Sequence, residues 1–343
     1  MKNRAVYMTG INQLEFFDVP VPEIGPEDVL VKLEYVGICG SDMHYLRHGR
    51  IGNFVVDGRM ILGHECAGKV VRVGEKVQKL AIGDTVALEP GITCGKCEHC
   101  LSGKYNLCKD VQFLATPPYD GAFVKYIRYP ENMAFKLPEG MDAKQGALIE
   151  PLAVGLHAAR QGGVTLGSSV VILGSGCIGL VTLLACKAMG ATNIIVADLV
   201  DARLEYAKRL GATHVINSSK EDAVARILEL TGGEGCDKVF ETAGAAPVTS
   251  MTVRVVKRGG RIVMVGMAAD DAIPFDFVDL ICKEAEIRTV FRYRNIYPIA
   301  IEAIASGKID VSGIVSHEFK FDDIQAAFDN NGPDVIKTVI SME

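Results

Sequence analysis

The chain carries little excess charge of either sign, no unbroken apolar run of membrane length, no internal repeat and no low-complexity tract. With 36 Lys plus Arg against 42 Asp plus Glu its net charge is -6, which leaves no basic footprint for nucleic acid or an anionic membrane surface. The longest uncharged stretch, residues 161–186, is interrupted by Gly162, Gly163, Gly167, Ser168, Ser169, Gly174, Ser175 and Gly176. A bilayer-spanning helix needs about 20 mostly apolar residues, so this stretch reads as a buried strand followed by a helix. The first ten residues, MKNRAVYMTG, lack the apolar centre of a signal peptide. A cytoplasmic location is therefore expected, and the ten cysteines are expected to be thiols, metal ligands or core fillers before disulfides. At 49% hydrophobic and 23% charged, the composition excludes intrinsic disorder and collagen-like structure. A length of 343 residues predicts two intimate domains, and a small molecule is the expected partner.

Two rhythms divide the chain. Over residues 29–39 and 66–88, short β-branched runs (VLVKLEYVGIC, AGKVVRVG, GDTVAL) alternate apolar with polar residues and break at Gly or Pro, as in an all-β, barrel-like domain. After about residue 155, short apolar strands (VVIL, NIIVAD, HVIN, KVFETAG, RIVMVG, EIRTVF) are separated by helix-length segments. That alternation predicts an α/β doubly wound parallel sheet. Leu204, Ala207 and Leu210 share a helical face that ends at Gly211, a residue suited to a left-handed cap; Val224, Ile227 and Leu228 repeat the scheme. Beyond Phe291 the pattern reads as a helix, then mixed strand and helix.

Three motifs carry chemistry. Gly174, Gly176 and Gly179 form a GxGxxG between an apolar strand and a helical run, and Asp198 closes the next strand 19 residues after Gly179. Such glycines allow a tight turn and close backbone approach, the helix N-terminus faces a pyrophosphate, and the carboxylate accepts ribose hydroxyls. A carboxylate there repels a 2′-phosphate and so favours NAD over NADP. The blander alternative is a glycine-rich turn with a helix-capping Asp. Arg203 either pairs with a phosphate or is a helix-surface cation.

The second motif, Cys94, Cys97, Cys100 and Cys108, supplies four thiolates. Four thiolates close one tetrahedral zinc site with no open position, so the site is expected to be structural. An iron–sulfur cluster calls for a different last spacing and a following Pro, whereas Lys109 follows here. His99 inside the loop reads as solvated. The third constellation is dispersed: Cys39 in GICGSDMH, His64 and Glu65 in GHE, and Glu150 in EPLAVG. One thiolate, one imidazole and carboxylates make a plausible open zinc site. There the metal acidifies an alcohol and a nicotinamide takes the hydride.

Taken in order along the chain, GICGSDMH, GHE, the four-cysteine lobe, EPLAVG and the dinucleotide fingerprint resemble the zinc-dependent medium-chain dehydrogenases. GRIG, FLATPPYDGAF and FRYRNIYPIAI resemble their sorbitol (polyol) branch. The resemblance implies a GroES-like β-barrel catalytic domain over residues 1–154, a Rossmann NAD-binding domain over 155–291, and a return to the catalytic domain over 292–343. It further implies a cleft between the domains and a homotetramer. Cys39, His64 and Glu65 would hold a catalytic zinc, with Glu150 reaching it directly or through water where related alcohol dehydrogenases carry a third cysteine. Tyr45, Glu150, Arg292 and Tyr293 would contact substrate hydroxyls, and Phe113 and Thr116 would line the pocket. Ser41 and His44 would relay the proton to solvent. Ile178, Asp198, Arg203, Val265, Gly266, Met267, Val290 and Phe291 would flank NAD. Unlike the mammalian branch, this chain has the complete four-cysteine lobe, which implies two zinc ions per subunit. The activity so implied is oxidation of a polyol to a ketose, as sorbitol to fructose or xylitol to xylulose. Threonine or butanediol dehydrogenase is the nearest alternative, and a non-catalytic NAD- or zinc-binding protein the more distant one.

Overall fold

A computed structural model describes residues 2–268 and 272–343. The chain divides into two compact units: Met1–Glu150 with Tyr297–Ala305 and Val315–Glu343, and Pro151–Ile296 with Ser306–Ile314. These divisions stand beside the boundaries at 154/155 and 291/292 read from the sequence.

In the first unit a seven-stranded sheet runs in the order Ala134–Lys136, Thr85–Leu88, Glu65–Val73, Asp28–Ile38, Lys337–Ser341, Val315–Lys320, and Tyr126–Pro130 also pairs with Asp28–Ile38. The register of its centre sets up the chemistry. On one side of Asp28–Ile38, Gly37 faces Glu65; on the other, Val339 faces Gly37 and Thr338 faces Ile38. Segments far apart in sequence therefore meet around Gly37. Val29, Val31, Val36, Val86, Phe123 and Phe321 are buried in the core beneath, and each such side chain contributes roughly 1.5–3 kcal/mol relative to exposure.

The second unit is built on a six-stranded parallel sheet in the order His214–Asn217, Asn193–Asp198, Ser169–Leu173, Cys236–Glu241, Val256–Met264, Glu286–Thr289. Val170, Val171 and Ile172 are all fully buried, as expected of a central parallel strand covered on both faces, which is why it reads as a continuous apolar run. The helix Asp201–Leu210 ends at Gly211 with φ 110, the left-handed cap its sequence predicted. From Ser169–Leu173 the chain fills one side of the sheet and then crosses to Cys236–Glu241 on the other. The strand order reverses there, and the carboxyl edge between those two strands is the kind of crevice in which open α/β sheets take ligands. The uncharged stretch 161–186 resolves into the strand Ser169–Leu173 and the helix Cys177–Ala188. Among the described residues no helix is long and apolar enough to cross a membrane.

Candidate metal centres and dinucleotide site

Cys39 occupies the cap position of the helix Gly40–His48. Asp42, three residues on and wholly buried, reaches back: its Oδ2 accepts the Cys39 N–H at 2.9 Å and its Oδ1 accepts the Gly63 N–H at 2.9 Å. The same Oδ1 lies 3.7 Å from His64 Nδ1. One carboxylate thus holds both segments that present ligands. The ligand atoms of Cys39, His64 and Glu65 lie within 4.8 Å of one another. Burial alone would lower the His64 pKa, but its interactions with Cys39 and Asp42 outweigh it and hold the imidazole well above its usual range. The pocket therefore attracts a cation, and a thiolate, an imidazole and a carboxylate fit zinc with one position left open.

Glu65 is not a free carboxylate. Lys337 Nζ donates to both its oxygens at 2.7 Å and to the Ile38 carbonyl at 2.9 Å, the two side chains being 1% and 3% exposed. Gly37 makes this pairing possible, because a Cβ at that position would stand 2.1 Å from Glu65 Oε2. Glu150, buried in the first turn of the helix Ile149–Gly162, lies outside the group of three. Its charge is nevertheless felt nearby: Glu89 is pushed up to about 7, by burial first and by Glu150 in addition, against the hydrogen bond from Tyr105.

Around this cluster, Phe113 packs with its ring 5.8 Å from that of His64, and Thr116 is half-buried beyond it. Ser41 is half-buried, Tyr45 is buried and His44 is exposed on the same helix, with His44 Nδ1 2.9 Å from the Arg50 carbonyl. A carbonyl only accepts, so Nδ1 carries the proton and Nε2 is left as the acceptor.

The four cysteines form a second group, their sulfurs also within 4.8 Å of one another. Cys97 caps the short helix Glu98–Leu101, and Gly95 and Gly103 take left-handed φ values of 69 and 72 to fold the loop around it. Backbone N–H groups of Lys96 and Cys97 lower the Cys94 thiol to about 7, while burial raises Cys108 to about 11. This cluster fits a structural zinc; His99 is not in it. Tyr105 Oη donates to Glu89 Oε1 at 2.7 Å and moors the lobe to the strand end.

In the second unit, Gly174 has φ 106, and a Cβ on Gly179 would stand 1.9 Å from the Gly174 carbonyl oxygen, so neither accepts a side chain. The helix Cys177–Ala188 starts from Gly176, with Ile178 half-buried in its first turn. Asp198 is already oriented: Oδ2 accepts the Ser175 N–H at 2.7 Å and Oδ1 the Val200 N–H at 3.0 Å. Arg203 is half-buried on the helix Asp201–Leu210. Leu199, Met267 and Phe291, each following the carboxyl end of a strand, are exposed. Val265, Gly266 and Val290 are half-buried beside them. Arg292 adopts φ 57 with its guanidinium 4.8 Å from the Phe291 ring centre, and Tyr293 is buried.

Sequence reasoning missed Asp42 and Lys337. The first had a local signal, an acid three residues after a helix cap, the spacing of a capping box. The second had none, since only strand register brings it to Glu65.

Residues 25–139 match the alcohol dehydrogenase GroES-like domain and residues 177–306 the zinc-binding dehydrogenase family. The chain is 47% identical over 348 residues to an uncharacterized zinc-type alcohol dehydrogenase-like protein of Escherichia coli K12, covering 100% of this chain and 99% of that one. It is 44% identical over 326 residues to a sorbitol dehydrogenase of Bacillus subtilis 168, covering 95% and 92%. A crystal structure of an Escherichia coli oxidoreductase/dehydrogenase of unknown specificity superposes with a TM-score of 0.96 at 46% identity, over 100% of both chains.

Proposed function

Because the chain belongs to the zinc-dependent medium-chain dehydrogenases of the polyol type, we propose that it oxidises a secondary hydroxyl of a small polyol to a ketose, with NAD as acceptor. The observation that carries this reading is the gathering of Cys39, His64 and Glu65 within 4.8 Å in one unit of a chain whose other unit has a Rossmann-type sheet. Zinc, when bound, supplies a Lewis acid for the alcohol oxygen, and NAD supplies the hydride acceptor.

The chain's own residues do the rest. Cys39, His64 and Glu65 hold the metal, and Asp42 and Lys337 orient them. Glu150 hydrogen-bonds the polyhydroxylated substrate beside the metal, assisted by Tyr45, Arg292 and Tyr293. Ser41 and His44 pass the alcohol proton outward, a reading supported by the exposure of His44 and by the Arg50 carbonyl at its Nδ1, which leaves Nε2 as the acceptor. Asp198 accepts the ribose hydroxyls and disfavours a 2′-phosphate. Each subunit binds two zinc ions, the second on the four cysteines. Assembly as a homotetramer and a cytoplasmic location complete the proposal. An outer strand Glu286–Thr289 with all four residues exposed, and the exposed Phe277, Val278 and Ile281 of the helix that precedes it in sequence, support association with another copy.

Sorbitol, xylitol, ribitol, butanediol and threonine, each assayed with NAD and NADP, test the substrate. The expected result is turnover of one or more of the polyols with NAD. Strong turnover of butanediol or threonine with none of the polyols would overturn it.

A further inference from the structure

The carboxyl edge of the parallel sheet holds a second oriented carboxylate besides Asp198. Glu241 closes the strand Cys236–Glu241 and is 1% exposed. Its Oε1 accepts the N–H groups of Ala243 at 2.9 Å and Gly244 at 2.8 Å. Its own carbonyl accepts Val265 N–H at 2.9 Å and Gly266 N–H at 3.0 Å, from the loop that follows the strand Val256–Met264.

The two loops are pressed together so closely that only glycine fits. A Cβ on Gly266 would lie 2.3 Å from Gly244 N and 2.6 Å from Glu241 Oε2, and one on Gly244 would lie 2.5 Å from the Met267 carbonyl oxygen. The next residue, Thr242, places its hydroxyl 3.0 Å from the Leu173 and Gly174 carbonyls, which joins this assembly to the glycine turn. Burial raises the Glu241 pKa against the backbone N–H groups of Gly244, Ala243, Ala245 and Gly266.

A buried carboxylate surrounded by backbone donors contributes no apolar packing; what it supplies is a fixed geometry for the loops that donate to it. Those loops follow the strands lying beyond the point where the strand order reverses, on the opposite side from Asp198. Asp198 serves the adenosine half of a dinucleotide, so these loops serve the other half. We propose that Glu241 is a positioning residue for the nicotinamide half: its side chain holds the loop Thr242–Ala245 through Oε1 and abuts Gly266 with Oε2, while its backbone carbonyl holds Val265 and Gly266, and together these contacts fix the surface on which that half lies. The inference rests on the NAD chemistry proposed above.

Glu241→Gln keeps the size of the side chain. With its oxygen in the place of Oε1 the amide keeps the bonds to Ala243 and Gly244 but sets an NH2 in the place of Oε2, beside Gly266; turned the other way, it loses both bonds. Calorimetric titration of the purified full chain with NADH and, separately, with AMP reads the effect. NADH affinity is expected to fall roughly tenfold or more while AMP affinity stays within about twofold. Glu241→Asp, which keeps the charge and shortens the reach, is expected to show a smaller loss of the same pattern and serves if the Gln variant does not fold. Unchanged NADH binding, or equal losses for NADH and AMP, would overturn the inference. A wild-type chain that binds AMP but not NADH would instead overturn the NAD reading on which it rests.

Discussion

Lys337→Met removes an ammonium that stands 2.7 Å from both oxygens of Glu65, in a place where the two side chains are almost wholly shielded from water. Met keeps much of the volume, so the main consequence is an uncompensated buried carboxylate. Breaking a buried pair from one side costs about 3–5 kcal/mol. At about 2–4 °C per kcal/mol for a unit of this size, the metal-depleted variant should melt roughly 6–20 °C below the metal-depleted wild type. With zinc on Cys39 and His64 the cation takes over part of the role of the ammonium, so the deficit should shrink. Adding Glu65→Gln, which removes the other charge, should restore most of the stability. Calorimetric melting of the three proteins, with and without zinc, reads all of this. Equal melting of variant and wild type without metal, or a deficit that zinc leaves unchanged, would refute the reasoning.

Glu150→Ala should lower kcat by about two to four orders of magnitude with an unchanged melting temperature, since its proposed work is beside the reacting hydroxyl; near-normal turnover would remove it from the site. Asp198→Ala should shift the NAD-to-NADP ratio of kcat/KM toward NADP by about one to two orders of magnitude, and an unchanged ratio would dismiss its ribose contact. His157 is buried, its Nδ1 has no hydrogen-bond partner among the described residues, and burial, then Arg294 and Arg160, lower its pKa from 6.5 to about 4. The unfolded chain therefore takes up a proton that the folded chain resists. Stability is full above pH 6.5 and declines as the pH falls toward about 4, by up to about 3 kcal/mol. Denaturant titrations from pH 7 to 4 should show a shallower decline in His157→Gln; identical slopes would contradict the assignment.

What was legible in the sequence was what is local in the chain. Gly174, Gly176 and Gly179 sit in one turn, and the four cysteines sit in one loop, so spacing alone exposes both. The parallel sheet is legible because strands buried on both faces read as unbroken apolar runs between helix-length segments. Cys39 and His64 belong to different elements, and Asp42 joins them through hydrogen bonds to backbone groups on each side; composition gives no sign of this. Lys337 and Glu65 meet only because two strands flank Gly37 in a particular register. Glu241 reads as an ordinary polar residue at a strand end, and only the close approach of Gly244 and Gly266 shows what it holds.

The central claim is an open metal site built on Cys39, His64 and Glu65, separate from the closed site on the four cysteines. Zinc content per subunit, measured on the wild type and on Cys39→Ser, tests it most directly. Two ions in the wild type and one in the variant are predicted. Equal zinc content in the two proteins would contradict the account.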